Sequence, residues 1–481
     1  MGKSAKTRDM RRQEKEEREL LAAKQLKSRK RRKVLTVVTA VVLVAALVLT
    51  VAASVLSNKG FFRRHSVVMS TPHYKVTGQM MSYFIYNTYE TYVQQYSNQL
   101  GIDANTSLKK QNFRTDASWF DYFALEARTN LRQVLLFAEK AKEQGVTLTE
   151  EELATIDKNV DSADISAYSE KFALTKADLR AVLQLSSIAS KMYAQIIGDY
   201  TISDADIDAY FAENSKYFKT ISYSSVTFPY GENGWYSTAS AAKSAADTVA
   251  AATTEKAFEA AVEKVLTAIG ASADNVKQEL SDGKRTGAAY TDNSKFSEWA
   301  FADDRKLLET YVEDTGSAYA VYQLTALPAL DETPLRNFRT ILLTADGCGS
   351  ADKAKAKAEE LLGQWKKDGA TEDAFVALAK VNSEEESTKE NGGLYENIAD
   401  GSMTDTFNTW CFDAARKAGD TTIVQSDTGY HVIYYVGEGR RQWQENVKSA
   451  MVAQKTDELC REYAETWTVT IKEKAINRLP L

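Results

Sequence analysis

Asn391–Met403 reads NGGLYENIADGSM, with Phe407 close behind it and TGYHV at Thr428–Val432. The paired glycines mark a tight turn, because glycine enters the left-handed backbone region at no steric cost. A second turn, Gly401-Ser402-Met403, sets a methionine four residues ahead of Phe407. Gly429 then leads through His431 into VIYYV, a β-branched and aromatic run that reads as a strand. Upstream, FRTILL (Phe338–Leu343) has the same strand character and KAKAKAEELLGQW (Lys353–Trp365) that of a long helix. DAFVALAKVNSEEES (Asp373–Ser387) reads as a further helix running into an acidic loop. Strands and helices in this order predict an α+β unit, with the glycine turns, Met403, Phe407 and His431 in its second half.

The order and spacing of these motifs resemble the parvulin-type peptidyl-prolyl isomerase (rotamase) family over residues 334–439. Rotation about an Xaa-Pro amide faces a barrier of ~18–20 kcal/mol and takes tens of seconds unaided, slow enough to limit folding. Its catalysis needs no covalent step, and no cofactor or metal is implied. The site holds the ring in an apolar slot, excludes water and stabilises the twisted amide. By the family pattern Met403 and Phe407 form the slot and Leu394 adds a wall. His431 is the second of two floor histidines, and Thr428 is the hydroxyl residue before it. The first histidine's place holds Thr340, and that of a Cys or Asp holds Glu385, or Glu384 if the loop slips by one. The catalytic candidates are therefore His431, Thr340 and Glu385, with turnover expected to be weak or absent because two of three floor positions are altered. Thr340 and His431 remain able to hydrogen-bond each other. Met403 and Phe407 also suit an ordinary core, His431 a structural histidine, and Glu384–Glu386 a solvated loop.

Charge is spread unevenly. The chain of 481 residues carries −6 in all, yet its first 33 residues hold 14 Lys and Arg against 5 Asp and Glu, which leaves the rest near −15. Val34–Leu56 is 23 residues without a charge, enough at ~1.5 Å per residue to span a hydrocarbon core of about 30 Å. It reads as a single transmembrane helix, and the SRKRRK cluster before it predicts a cytoplasmic N-terminus with residues 57–481 extracytoplasmic. A cleaved signal peptide is the rival reading, because VAAS offers small residues, but its usual leader and apolar run are shorter. An acidic outward part disfavours nucleic acid as a partner, and the basic segment suits anionic lipid. Three scattered cysteines and three histidines leave little material for a disulfide framework, a metal centre or a Ser-His-Asp triad.

Residues 66–219 read as a helical, chaperone-like domain. Met81, Phe84, Ile85, Tyr89, Tyr92, Val93 and Tyr96 recur at helical steps, and Trp119–Gln144 repeats the pattern. Thr149 with Glu152, Thr175 with Asp178 and Ser203 with Asp206 have the spacing of capping boxes. GVTLTEEEL, LTKADLR and ISDADIDAYFAENSKYF resemble the helical region of extracytoplasmic parvulin foldases. Residues 220–327 read as a degenerate second copy of the parvulin-like unit. YSSVTF (Tyr223–Phe228) aligns with FRTILL, TEKAF (Thr254–Phe258) with TEDAF (Thr371–Phe375), and KFSEWAFADDRK (Lys295–Lys306) with TFNTWCFDAARK (Thr406–Lys417). In that copy Ser225 and Tyr319 stand in the histidine places. Residues 440–481 are expected to return to the helical domain. Clients would be unfolded or newly exported polypeptides presenting Xaa-Pro segments, and a homodimer is compatible with the chain. A non-catalytic holdase and a structural envelope assembly protein are the alternative functions.

Overall fold

The computed structural model describes residues 66–96, 101–103 and 106–479. The basic segment 1–33 and the apolar run 34–56 lie outside the described residues, among which no helix is long and apolar enough to cross a membrane. The chain divides into two units, one running to Tyr200 and resuming at Thr456, the other Thr201–Lys455.

The first unit opens with β1 (Val67–Ser70), β2 (Lys75–Thr77) and α1 (Gly78–Tyr96). A short hairpin, β3 (Asn112–Arg114) and β4 (Ala117–Ser118), leads into α2 (Trp119–Glu143), α3 (Glu150–Ser162), α4 (Ser166–Phe172) and α5 (Lys176–Gly198). Phe120, Phe123, Ala127, Leu131 and Leu135 recur at three- and four-residue steps on α2, and all are buried against α1 and α5 side chains. Ser118, Thr149 and Thr175 each accept from the amide three residues on, and Asp121, Glu152 and Asp178 return the bond to the cap. These pairs satisfy orphan amides that would otherwise fray the first turn.

The second unit begins with α6 (Asp204–Asn214), capped by Ser203 and Asp206. Two α+β modules of matching topology follow. The first comprises β5 (Lys219–Pro229), α7 (Ala239–Ala250), α8 (Glu255–Ala268), α9 (Ala273–Asp282), β6 (Lys284–Ala289), α10 (Lys295–Ala300), β7 (Thr310–Asp314) and β8 (Ala318–Leu330). The second comprises β9 (Pro334–Leu343), α11 (Ala345–Cys348), α12 (Ala351–Lys367), α13 (Glu372–Asn382), α14 (Glu386–Lys389), β10 (Leu394–Ile398), α15 (Asp405–Cys411), β11 (Thr421–Gln425) and β12 (Tyr430–Arg441). Their antiparallel sheets have strand orders β6-β5-β8-β7 and β10-β9-β12-β11, so each module's first and last strands are central neighbours.

Strand alternation gives the second module two apolar faces. Ile341, Leu343, Val432 and Tyr434 pack under α12 and α13 with Ala358, Leu361, Trp365 and Phe375. On the other face Phe338, Ile433 and Val424 meet Phe407 and Cys411 of α15. The first module repeats this, with Val226, Phe228 and Val321 under α7 and α8, and Ile221 and Leu324 against Phe296 of α10.

The chain closes with α16 (Gln442–Thr466), β13 (Thr470–Ile471) and α17 (Glu473–Ile476). From Thr456 it belongs again to the first unit, where Leu459, Tyr463, Ile476 and Leu479 are buried beside residues of α1 and α2. There β13 adds to β1, with Ile471 opposite Met69.

Candidate active site

The ladder of β9 and β12 sets Ile433 opposite Thr340, and His431 opposite Leu342 on one side and Val424 on the other. Partners in a ladder share a face, so Phe338, Thr340, His431 and Ile433 all look toward α15. Phe407, 2% exposed, reaches this face, its ring 4.9 Å from Phe338 and edge-on to the His431 imidazole at 5.9 Å, centroid to centroid. Met403, half-buried, packs on the same cluster. The methionine, the phenylalanine and the imidazole are thus brought together at one apolar face.

His431 Nε2 is hydrogen-bonded to Ser426 Oγ at 2.9 Å and to Thr428 Oγ1 at 3.3 Å. Its Nδ1 is buried and has no hydrogen-bond partner among the described residues. Burial pushes the imidazole pKa below its usual value, and the weaker pull of the Glu385 charge acts the other way.

Thr340 does not bond His431. Their places on the ladder are two residues apart, a diagonal of roughly 7–8 Å that a threonine cannot bridge. Its hydroxyl donates instead to Glu385 Oε2 at 3.2 Å, which also accepts from Thr388 Oγ1, while Glu385 Oε1 accepts from the Tyr395 hydroxyl. Burial first, and this bond second, raise the Tyr395 phenol above its usual pKa, so Tyr395 stays a donor. Glu385 therefore faces the floor, whereas Glu384 turns away to accept from Thr344 N and Oγ1.

Leu394 is displaced from its expected part. It stands opposite Arg339, on the face that looks toward α13, and Tyr395 stands opposite Phe338. The glycine turn sets this parity, since Gly393 accepts from Thr340 N at 2.8 Å and a Cβ there would lie 2.0 Å from Thr340 O. The Tyr395 ring stacks on Phe338 at 5.3 Å and takes the wall position. Tyr395, Ser426 and Phe338 join these residues although no motif singles them out; Tyr395 directly follows Leu394, and the Ser-x-Thr pair directly precedes the Gly-x-His turn.

In the first module the corresponding face is filled. The ladder sets Ser225 opposite Tyr322, the register of Thr340 and Ile433. Two residues back from Tyr322, Ala320 rather than Tyr319 stands in the place of His431. The Tyr322 ring lies flat on Phe296 at 3.9 Å, and Trp299 stacks on Tyr311 at 5.1 Å. Aromatic rings thus pack on one another at this face of the first module, which has no imidazole.

Residues 330–438 match the family model described as the PPIC-type PPIASE domain. This chain carries a parvulin-type domain. The foldase protein PrsA of Latilactobacillus sakei subsp. sakei (strain 23K) is 32% identical over 121 residues, 24% of this chain and 38% of that protein. The match therefore spans under half the length of that curated relative. Among solved structures, PrsA of Bacillus subtilis is similar at 14% identity and a TM-score of 0.24, covering 78% of this chain and 94% of that one. The peptidylprolyl isomerase PrsA of Bacillus anthracis is similar at 16% and 0.19, covering 57% and 93%. Among the described residues no group of three or more His, Cys, Asp or Glu is placed to hold a metal.

Phe407 and Met403 bring apolar surface up to the imidazole, with Phe338 buried behind them, and the imidazole Nδ1 is buried with no hydrogen-bond partner among the described residues. The Glu385 carboxylate lies behind Thr340 and Tyr395 and accepts a hydrogen bond from each hydroxyl. The floor thus combines one imidazole, one carboxyl group and the hydroxyls of Thr340 and Tyr395.

Proposed function

We propose that this protein is a membrane-anchored, extracytoplasmic foldase of the parvulin type, assisting exported polypeptides with weak prolyl isomerase activity. The observation that carries this reading is the convergence of Phe407, Met403 and His431 on one face of the 334–439 module, above a floor of Thr340, Glu385 and Tyr395. The slot supports recognition of a prolyl segment; the missing second imidazole supports a low rate. The anchor rests on the uncharged run Val34–Leu56 and the basic cluster before it. Residues 220–327 are proposed as a degenerate copy, a reading supported by the shared strand order and by the aligned Phe296 and Phe407. A protease-coupled assay on an Xaa-Pro peptide tests the activity: acceleration above background that Met403→Ala lowers supports it, and none at any enzyme concentration refutes it.

A holdase without turnover is the second reading, favoured by the Thr340 substitution and the ring-filled first module. Under it, His431→Ala suppresses aggregation of a denatured client as well as the unaltered chain does.

A further inference from the structure

The connection that leads into the second strand differs between the two modules. Where α13 passes to β10 through the four-residue α14 and the glycine pair, α8 passes to β6 through the ten-residue helix α9. Gly270, at φ +88°, ends α8 and turns the chain so that Ile269 stays 40% exposed. On the near side, Pro229–Tyr236 folds back on itself, with Gly231 N donating to Tyr236 O and Tyr236 N to Pro229 O. A Cβ at Gly234 would collide with the Tyr230 backbone at 2.5 Å, so the turn is tight and holds Trp235 out, 43% exposed.

Between these parts lies a groove of about 420 Å³, on the helix side of the sheet, away from the ring-filled face. Trp235 and Ile269 flank it with Leu266, and Asn275, Gln278 and Glu279 present one stripe of α9 to it at i, i+3, i+4 spacing. No Lys or Arg lines it. The Glu279 carboxylate is part-buried without a hydrogen bond or ion pair among the described residues, and Asp282 follows one turn on. Desolvation and the Asp282 charge raise the Glu279 pKa, the mark of an anion short of a counter-charge.

We infer that this groove of the first module docks extended, unfolded polypeptide segments in which apolar residues alternate with lysine or arginine. Apolar side chains cover Trp235 and Ile269, the basic head pairs with Glu279, and the Asn275 amide meets the peptide backbone, while Gln278 Nε2 donates to Asp282 Oδ1 at 2.8 Å. The inference rests on the foldase reading for the kind of chain that arrives, and it moves client contact in this module from the filled face to α9.

Two proline-free fluorescent peptides, one alternating leucine with lysine and the other leucine with glutamate, are titrated against the full chain by anisotropy. The lysine peptide is expected to bind more tightly. Glu279→Gln is expected to weaken it about fivefold, as for a part-exposed ion pair, and not to weaken the glutamate peptide, from which it removes a like charge. Trp235→Ala weakens both, and Ile269→Ser repeats that loss without touching the 229–236 turn. Glu359→Gln, an equal charge change on α12, alters neither. Equal losses from Glu279→Gln and Glu359→Gln, no effect of Trp235→Ala and Ile269→Ser, or no binding of either peptide would overturn the inference. Prolyl isomerisation and client protection measured on the same preparations show separately whether the foldase reading itself has failed.

Discussion

Thr340, 1% exposed and proposed to hold the place of a second imidazole, has its hydroxyl committed to Glu385. Phe407→Ala is a poor probe here, because removing so buried a ring costs about 3–5 kcal/mol of stability and confounds rate with folding. Met403 is half-buried, so Met403→Ala tests the slot at lower structural cost. The pH dependence has a definite sign. Burial holds the folded pKa of His431 below the usual 6.5, so below pH about 6.5 the unfolded chain takes up this proton before the folded one does. The stability that the neutral imidazole contributes is present above that pH and is lost as pH falls through the folded pKa. Thermal melts of His431→Asn are therefore expected to fall less steeply between pH 7 and acid conditions than those of the unaltered chain, and identical slopes would rule this out. At this scale the sequence disclosed residue types and order but not strand parity. Leu394 and Tyr395 are neighbours, and only the closure of Gly393 onto Thr340 determines which of them faces Phe407.

Elements were more legible, because their signals are local. The three Thr/Ser-x-x-acid pairs at 149, 175 and 203 form capping boxes, and Ser118 with Asp121 forms a fourth by the same rule. Thr175→Ala should destabilise the first unit by about 1 kcal/mol, read from urea melts followed by helix ellipticity. Gly393 is a stricter case. Its φ of +73° and the 2.0 Å approach to Thr340 O mean that Gly393→Ala must shift β9 against β10. A loss of ~1–3 kcal/mol, with lowered isomerase activity, is expected; an unchanged melting curve would show that the turn does not brace the floor. Helix α9 has no matching motif in the second module, so the similarity of the two copies carries no signal for it.

For the whole molecule, the return of the C-terminus is the long-range fact. Leu459, Tyr463, Ile476 and Leu479 are each under 8% exposed in the core of the first unit. At ~1.5–3 kcal/mol per buried side chain, their removal approaches the whole stability of an ordinary domain, about 5–15 kcal/mol. A chain ending at Lys455 is therefore expected to lose the cooperative melt of its helical unit, while near-ultraviolet dichroism of the two modules persists. The sequence signalled this return only through resemblance, because contacts between residues 80 and 460 leave no local periodicity. Function at this scale comes down to whether an imidazole, a thioether and a benzyl group on one dry face still twist a prolyl amide. The direct measurement is protease-coupled prolyl isomerisation by the full chain beside its Met403→Ala and Thr340→His variants. The expected result is a slow but real acceleration, lowered by the first change and raised several-fold by the second. A rate equal to background in all three would contradict the assignment of a prolyl site to this face.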